Sequence, residues 1–287
     1  MREPRRIASR DNPLYRQLLS LVESSRERRQ LGVSVLEGIH LCDAFLAAGG
    51  VPRLCVVGAG ARAHPEVGPL LARAAGAAGA LRPADPALAT SGAPAFDGGE
   101  CELADPLFRS LSQVASGVAI AFVIDTPRAV LPDRIERDAV YLDALQDPGN
   151  VGTILRSCAA AGVSLVITAP TTAWCWSPKV LRAAMGAHFA LTVVESVAWQ
   201  TVAERATIGG IATSPHARDT LWQADLRGPA LWRFGTEGKG LDVAQVEAST
   251  RWLRIPQRAG VESMNVAAAV AVCLFEQRRQ REAARAC

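Results

Sequence analysis

The second half of the sequence alternates short apolar runs with segments of helical spacing, and that alternation restricts the chain to few folds. Val118–Ile124, Ala139–Leu145, Leu165–Ala169, Leu191–Glu195, Ile208–Thr213 and Ala230–Phe234 read as buried strands. Between them Val151–Ala161, Lys179–Gly186 and Trp199–Ala206 read as helices, and Asn265–Arg285 closes the chain as another. Strands separated by helices predict an α/β fold with a mostly parallel sheet covered on both faces. The first half continues the pattern. Leu14, Leu18, Leu21 and Val22 predict one helix from Asn12 to about Arg29, followed by a strand at Val33–Leu36, a helix at Gly38–Ala48, a strand at Arg53–Val57 and a helix over 65–83. Thr90–Pro106 is rich in small, Gly, Pro and acidic residues and predicts a domain boundary or a mobile loop near residues 90–115. With 287 residues, two domains are expected, 1–112 and 113–287.

Several classes of function are excluded. No apolar run approaches the ~20 residues of a membrane helix, and the N-terminus lacks the regions of a secretory signal, so a cytoplasmic protein is expected. The cysteines, Cys42, Cys55, Cys101, Cys158, Cys175, Cys273 and Cys287, are odd in number, widely spread and without a C-x-x-C pair. Buried reduced thiols are expected, and neither they nor the scattered histidines ask for a metal. The net charge is only +3, but residues 1–30 carry eight arginines against four acids. The stretch beginning REPRRIASR is a footprint that phosphate backbones attract, although solubilising a terminal helix would use the same residues.

Two glycine-rich stretches resemble nucleotide motifs without meeting them. Arg53–Ala63 places G-x-G-x-x-A after a strand, but no acid follows at the distance a ribose would need. Phe234–Leu241, FGTEGKGL, lacks the glycine spacing and the hydroxyl of a phosphate-binding loop. Three polar constellations remain, each at the end of a predicted strand. The first is DPGNVGTILRSCAAAG, in which Asn150 can cap the helix carrying Arg156. The second is FGTEGKGL itself, with one carboxylate, Glu237. The third is IPQRAGVESMNVAAAVAV, which delivers Glu262, Ser263 and Asn265 to the head of an apolar helix, with Ser263 an ordinary N-cap candidate.

In order, N-x-G-x-x-x-R at Asn150, Gly152 and Arg156, G-T-E-G-x-G at Gly235–Gly240 and I-P-x-x-x-x-x-E-S-x-N at Ile255–Asn265 resemble the three signature motifs of the SpoU/TrmH RNA 2′-O-methyltransferases of the SPOUT superfamily. Ser177-Pro-Lys179, Arg182 and Met185-Gly186-Ala187 resemble a further segment of that family, and the likeness runs over about residues 113–280. Asn12-Pro13 and Leu36-Glu37-Gly38 resemble the family's L30e-like substrate-binding domain.

The resemblance implies a C-terminal deep trefoil knot, a homodimer, and S-adenosyl-L-methionine as methyl donor held at Thr213, Ser214, Gly235, Ile255 and Met264. It implies Arg156, Asn150, Glu237, Ser263 and Asn265 as the catalytic set and gives RNA binding to Arg2, Arg5, Arg6 and Arg10. The target implied is 23S rRNA, with transfer RNA or a non-catalytic RNA-binding role as alternatives. Arginine-rich, lysine-poor composition is also similar to actinobacterial members that protect 23S rRNA from antibiotics such as avilamycin or thiostrepton.

Overall fold

The computed structural model describes residues 4–80, 96, 99–114, 117–236, 240–241, 250–258, 260 and 263–285. It divides into two compact units. One comprises Met1–Pro127 with Trp176–Arg182, the other Arg128–Cys175 with Ala183–Cys287.

The first unit is a five-stranded mixed sheet in the order β1-β4-β3-β5-β2. β1 (Arg5–Ile7), β4 (Gly99–Leu103) and β3 (Leu54–Gly58) run parallel, while β5 (Ile120–Asp125) is antiparallel to β3 and to β2 (Val33–Glu37). Because β5 lies between β3 and β2, the division falls after Pro127 and not after residue 112 as the composition suggested. Within the expected boundary segment, residues 90–95 and 97–98 lie outside the described residues.

The helix expected over Asn12–Arg29 is two helices, α1 (Pro13–Glu23) and α2 (Ser25–Leu31). Asn12 caps the first, accepting from the Leu14 amide at 2.9 Å. Ser24 is extended and its hydroxyl accepts from the Glu27 amide at 3.1 Å, which starts the second. Buried Arg28 then donates to the Leu21 and Val22 carbonyls, which the end of α1 leaves without helical partners. α3 (Ile39–Ala47), α4 (Val67–Ala80) and α5 (Asp105–Leu111) complete the unit. The dinucleotide-like glycines serve this packing. Ala59–Ala63 is a 3-10 turn, the Gly60 amide donates to Asp105 at 2.9 Å, and a Cβ on Gly60 would lie 3.0 Å from that carboxylate.

The second unit is a seven-stranded sheet in the order β10-β12-β9-β11-β6-β7-β8, with every neighbouring pair parallel. Its strands are β6 (Ala139–Leu142), β7 (Leu165–Thr168), β8 (Thr192–Val194), β9 (Gly209–Thr213), β10 (Asp219–Thr220), β11 (Ala230–Phe234) and β12 (Arg251–Arg254). α6 (Pro148–Ala161), α8 (Trp199–Arg205) and α9 (Val266–Arg285) belong to it, and α7 (Pro178–Ala184) lies mostly in the segment grouped with the first unit. From β6 the chain steps outward through β7 to β8. It then crosses to the other side, so the winding reverses between β6 and β11. β12 enters last, between β9 and β10. In open parallel sheets such a reversal creates a ligand crevice outside the carboxyl ends of the strands.

The C-terminal half of α9 is latched by side chains to the amino end of this sheet. Gln277 accepts the indole N–H of fully buried Trp232 at 3.0 Å and donates to Asp138 and to the Gly228 carbonyl. Gln280 accepts from the Leu226 amide at 2.9 Å and donates to the Ala224 carbonyl, while Arg281 grips Asp138 through both terminal nitrogens.

Cys42, Cys55, Cys101, Cys158, Cys175 and Cys273 are buried and free, and burial pushes the Cys55 and Cys158 thiols up to about 12. Among the described residues no cluster of three His, Cys, Asp or Glu could hold a metal, and no helix is long and apolar enough to cross a membrane.

His188 is buried with Nε2 2.7 Å from the Cys175 carbonyl, and burial holds its pKa down to about 4. The unfolded imidazole titrates near 6.5, so the native state favours the neutral ring. Its contribution to stability is complete above about pH 6.5 and is lost as pH falls toward 4, a cost rising to about 3 kcal/mol. Denaturant titrations from pH 7 to pH 4 should show the wild type losing that much more stability than His188→Gln; parallel pH profiles would refute the assignment.

Candidate active site at the carboxyl ends of the parallel strands

All four neighbouring strands from β6 across the reversal to β12 carry candidate residues at or just beyond their carboxyl ends. After β6 the chain reaches Asp147, whose carboxylate accepts from the Asn150 amide at 2.7 Å and caps α6, with Pro148 in the first helical position. Gly149 completes the turn, since a Cβ there would lie 3.0 Å from the Asp147 carboxylate. The expectation that Asn150 caps this helix is therefore corrected. Asn150 sits inside the first turn, and its side chain is not the cap.

Its Oδ1 accepts a hydrogen bond at 3.0 Å from Nδ2 of Asn265, at the head of α9. Asn265 also caps α9, its Oδ1 accepting from the Ala267 amide at 2.9 Å and the Ala268 amide at 3.3 Å. The cap candidate Ser263 is exposed two residues upstream and does not take that role. One amide thus uses both ends, oxygen on its own helix and nitrogen on the other. Asn265→Ala should cost about 1 kcal/mol from the lost cap alone, and Asn265→Asp, which keeps the cap but not the donor, should recover that stability without recovering activity. If the Asp variant were fully active, the bridge to Asn150 would have no part in function.

Arg156 is exposed on α6 and makes no hydrogen bond or ion pair among the described residues. At about 100° per residue, the six positions between Asn150 and Arg156 set them about a third of a turn apart, so the helix does not direct them at one another. Glu237, like Glu262, lies outside the described residues.

β9, β11 and β12 bring the remaining candidates side by side. β9 pairs with both of the others, and the Ser214 amide donates to the Leu253 carbonyl at 3.0 Å, tying the end of β9 to β12. Thr213, Ser214, Gly235, Ile255 and Met264 are all half-buried. The Ser214 hydroxyl accepts from the His216 amide at 3.2 Å and turns the chain. Gly235 has a sterically fixed identity. A Cβ there would come 2.4 Å from the Gly240 carbonyl oxygen, where the loop folds back to pair Thr236 with Gly240.

Beneath the reversal lies an ion pair that the motif comparison did not single out. Arg233 of β11 is 2% exposed, donates to Asp143 Oδ2 from Nε at 3.1 Å and Nη2 at 2.6 Å, and stacks 4.2 Å over the Trp199 ring. The Asp143 amide also donates to the Phe234 carbonyl at 2.8 Å, so the ends of β6 and β11 are fixed together. The signal was a lone charge inside the apolar run ALWRF.

In the first unit Arg5 and Arg6 are exposed on edge strand β1, with Arg6 3.4 Å from Glu102, and Arg10 is exposed in the turn that follows. The expected basic arm is thus in part a strand, and Arg2 lies outside the described residues.

A family model for the SpoU rRNA methylases matches residues 138–275, which contain all three motifs. An uncharacterised tRNA/rRNA methyltransferase from Synechocystis sp. is 35% identical over 283 residues, covering 97% of this chain and 95% of that protein. The chain belongs to the SpoU rRNA methylase family. A second SpoU relative, the 23S rRNA (guanosine-2′-O-)-methyltransferase RlmB of Pseudomonas syringae, is 35% identical over 149 residues, 51% of this chain and 60% of its own length. The crystal structure of an S-adenosylmethionine-bound rRNA methyltransferase from Sinorhizobium meliloti, 23% identical, superposes with a TM-score of 0.78 over 96% of this chain and 97% of its own, and shares the fold.

Proposed function

We propose that this SpoU protein transfers a methyl group from S-adenosyl-L-methionine to a ribose 2′-hydroxyl of ribosomal RNA, with 23S rRNA as the favoured substrate. The observation that carries the proposal is the convergence of three adjacent strand ends, Thr213–Ser214, Gly235 and Ile255, beside the Asn150–Asn265 bridge. The same motifs occur in a family whose Pseudomonas member is named for that reaction on 23S rRNA.

The donor set suits an adenosyl group. Backbone amides and carbonyls at Gly235, Ile255 and Met264 offer uncharged polar contacts to a flat base, and Thr213 with Ser214 line the neighbouring strand end. Bound there, S-adenosylmethionine would supply an electrophilic methyl group. The chain must then align a weak nucleophile and provide for its proton. Arg156, exposed and always charged, holds the phosphate of the substrate nucleotide and assists deprotonation of the hydroxyl. Asn150 orients the ribose from its fixed place against Asn265, Glu237 steadies Arg156 or a partner group, and Ser263 completes the ribose pocket.

The proposal extends to architecture. The late insertion of β12 between β9 and β10 supports a C-terminal trefoil knot. The mixed sheet of the first unit supports an L30e-like substrate-binding module, with exposed Arg5, Arg6 and Arg10, together with Arg2, contacting phosphates. A homodimer belongs to the same proposal. The enzyme works in the cytoplasm.

Incubation with labelled S-adenosylmethionine and unmodified rRNA or tRNA, followed by digestion and mass identification of nucleosides, tests the reaction and the substrate together. A 2′-O-methylnucleoside from rRNA alone is expected. Failure to bind the cofactor would overturn the reaction, and methylation of tRNA alone would overturn the substrate.

A further inference from the structure

At the end of the second unit's sheet opposite the candidate active site, beyond the amino ends of β6, β7 and β11, lies an open cleft of about 560 Å³. Four arginines line it, Arg137, Arg227, Arg281 and Arg285, against two acids, Glu136 and Asp138. The acids are engaged. Asp138 takes both arms of Arg281, and Glu136 lies 3.2 Å from Arg134 outside the cleft lining. Arg227 pairs with Asp225 at 2.7 Å. Arg137 and Arg285 are exposed and make no hydrogen bond or ion pair among the described residues.

Compensation of helix carbonyl ends explains part of this charge but not all of it. Arg278 donates to the Ala160 carbonyl at 2.7 Å near the end of α6, and Arg285 stands in the last turn of α9. Arg137 precedes β6 and belongs to no helix, so no carbonyl terminus accounts for it.

We propose that this cleft binds the phosphodiester backbone of the RNA substrate at a point remote from the methylated nucleotide. The inference rests on the functional reading above, which makes RNA the relevant polyanion. Guanidinium forks match phosphate geometry. A volume of this size admits a phosphate with its sugar. Among the lining residues just Pro229 and Ala284 carry apolar side chains, and neither is a large aromatic or aliphatic anchor of the kind a protein partner uses.

The test compares the wild type with Arg137→Ala/Arg285→Ala and with Arg137→Lys/Arg285→Lys. RNA affinity for 23S fragments is measured by fluorescence anisotropy across a salt series, alongside cofactor affinity, thermal stability and methylation kinetics. Removing two phosphate contacts should lower the slope of log K against log salt by about 1.5 and weaken binding about tenfold at moderate salt, while the lysine pair keeps the slope. KM for RNA should rise, with kcat and cofactor affinity unchanged. A wild type that methylates RNA beside an alanine pair with the same slope and KM would overturn the cleft alone. A wild type that binds cofactor but neither binds nor methylates RNA would overturn the functional reading and this inference with it.

Discussion

Arg156→Ala should abolish turnover while leaving cofactor affinity unchanged. The side chain is exposed on α6 and has no partner among the described residues, so its removal leaves packing intact. Stability should change by no more than about 0.5 kcal/mol. Turnover should fall by about 10³-fold, within the range contributed by groups that manage a proton in the transition state. Arg156→Lys should recover only part of the loss, because an ammonium keeps the charge but not the planar fork that grips a phosphate. Single-turnover methylation with saturating RNA, together with calorimetric titration of S-adenosylmethionine, separates the terms. Loss of cofactor affinity in the alanine variant would remove Arg156 from the catalytic role.

Gly235→Ala should instead destroy cofactor binding. The added methyl would meet three backbone atoms, the Gly240 oxygen and carbon at 2.4 and 2.5 Å and the Leu241 nitrogen at 2.7 Å. No rotamer can relieve a contact with backbone, so the loop after β11 must open. Overpacking of this kind costs about 1–3 kcal/mol. If that cost falls on the cofactor loop, affinity should drop by about a hundredfold, or about 2.7 kcal/mol. Gly240→Ala is the matched control. That residue has a φ of +65° but nothing within 4 Å of a Cβ, so it pays about 1 kcal/mol of backbone strain without a clash. Calorimetry should rank the affinities wild type, Gly240→Ala, Gly235→Ala; an unaffected Gly235→Ala would mean that the loop does not contact the cofactor.

Strands whose faces are both buried were legible, because their apolar runs need no partner to be recognised. β6, β7 and β11 all lie within the segments expected from their apolar content. Short strands with a single buried residue were not. β1 has one buried residue, Ile7, behind two exposed arginines, and β12 has only Leu253 buried, so neither carries a pattern. β4 hid among glycine and acids although Cys101 and Leu103 face the core. Strand order was also illegible, because periodicity records how a segment is buried and not which neighbour buries it. At the site, the motif residues at strand ends could be listed, but their pairing could not. Asn150 and Asn265 are 115 positions apart, and each was open to a purely local reading as a cap or cap neighbour. The structure gives the caps to Asp147 and Asn265 and leaves Asn150 to reach across.

The latch on α9 has a consequence for how the protein is made. Asp138 opens the sheet of the second unit, yet its partners Gln277 and Arg281 are 139 and 143 residues downstream. Contacts of such long sequence separation close late, after their loop entropy has been met. During synthesis β6, β9 and β11 can be complete while Asp138 still faces water and Asn265 does not yet exist. On the role proposed for Asn265, the site of the growing chain is completed only when its last helix emerges and docks.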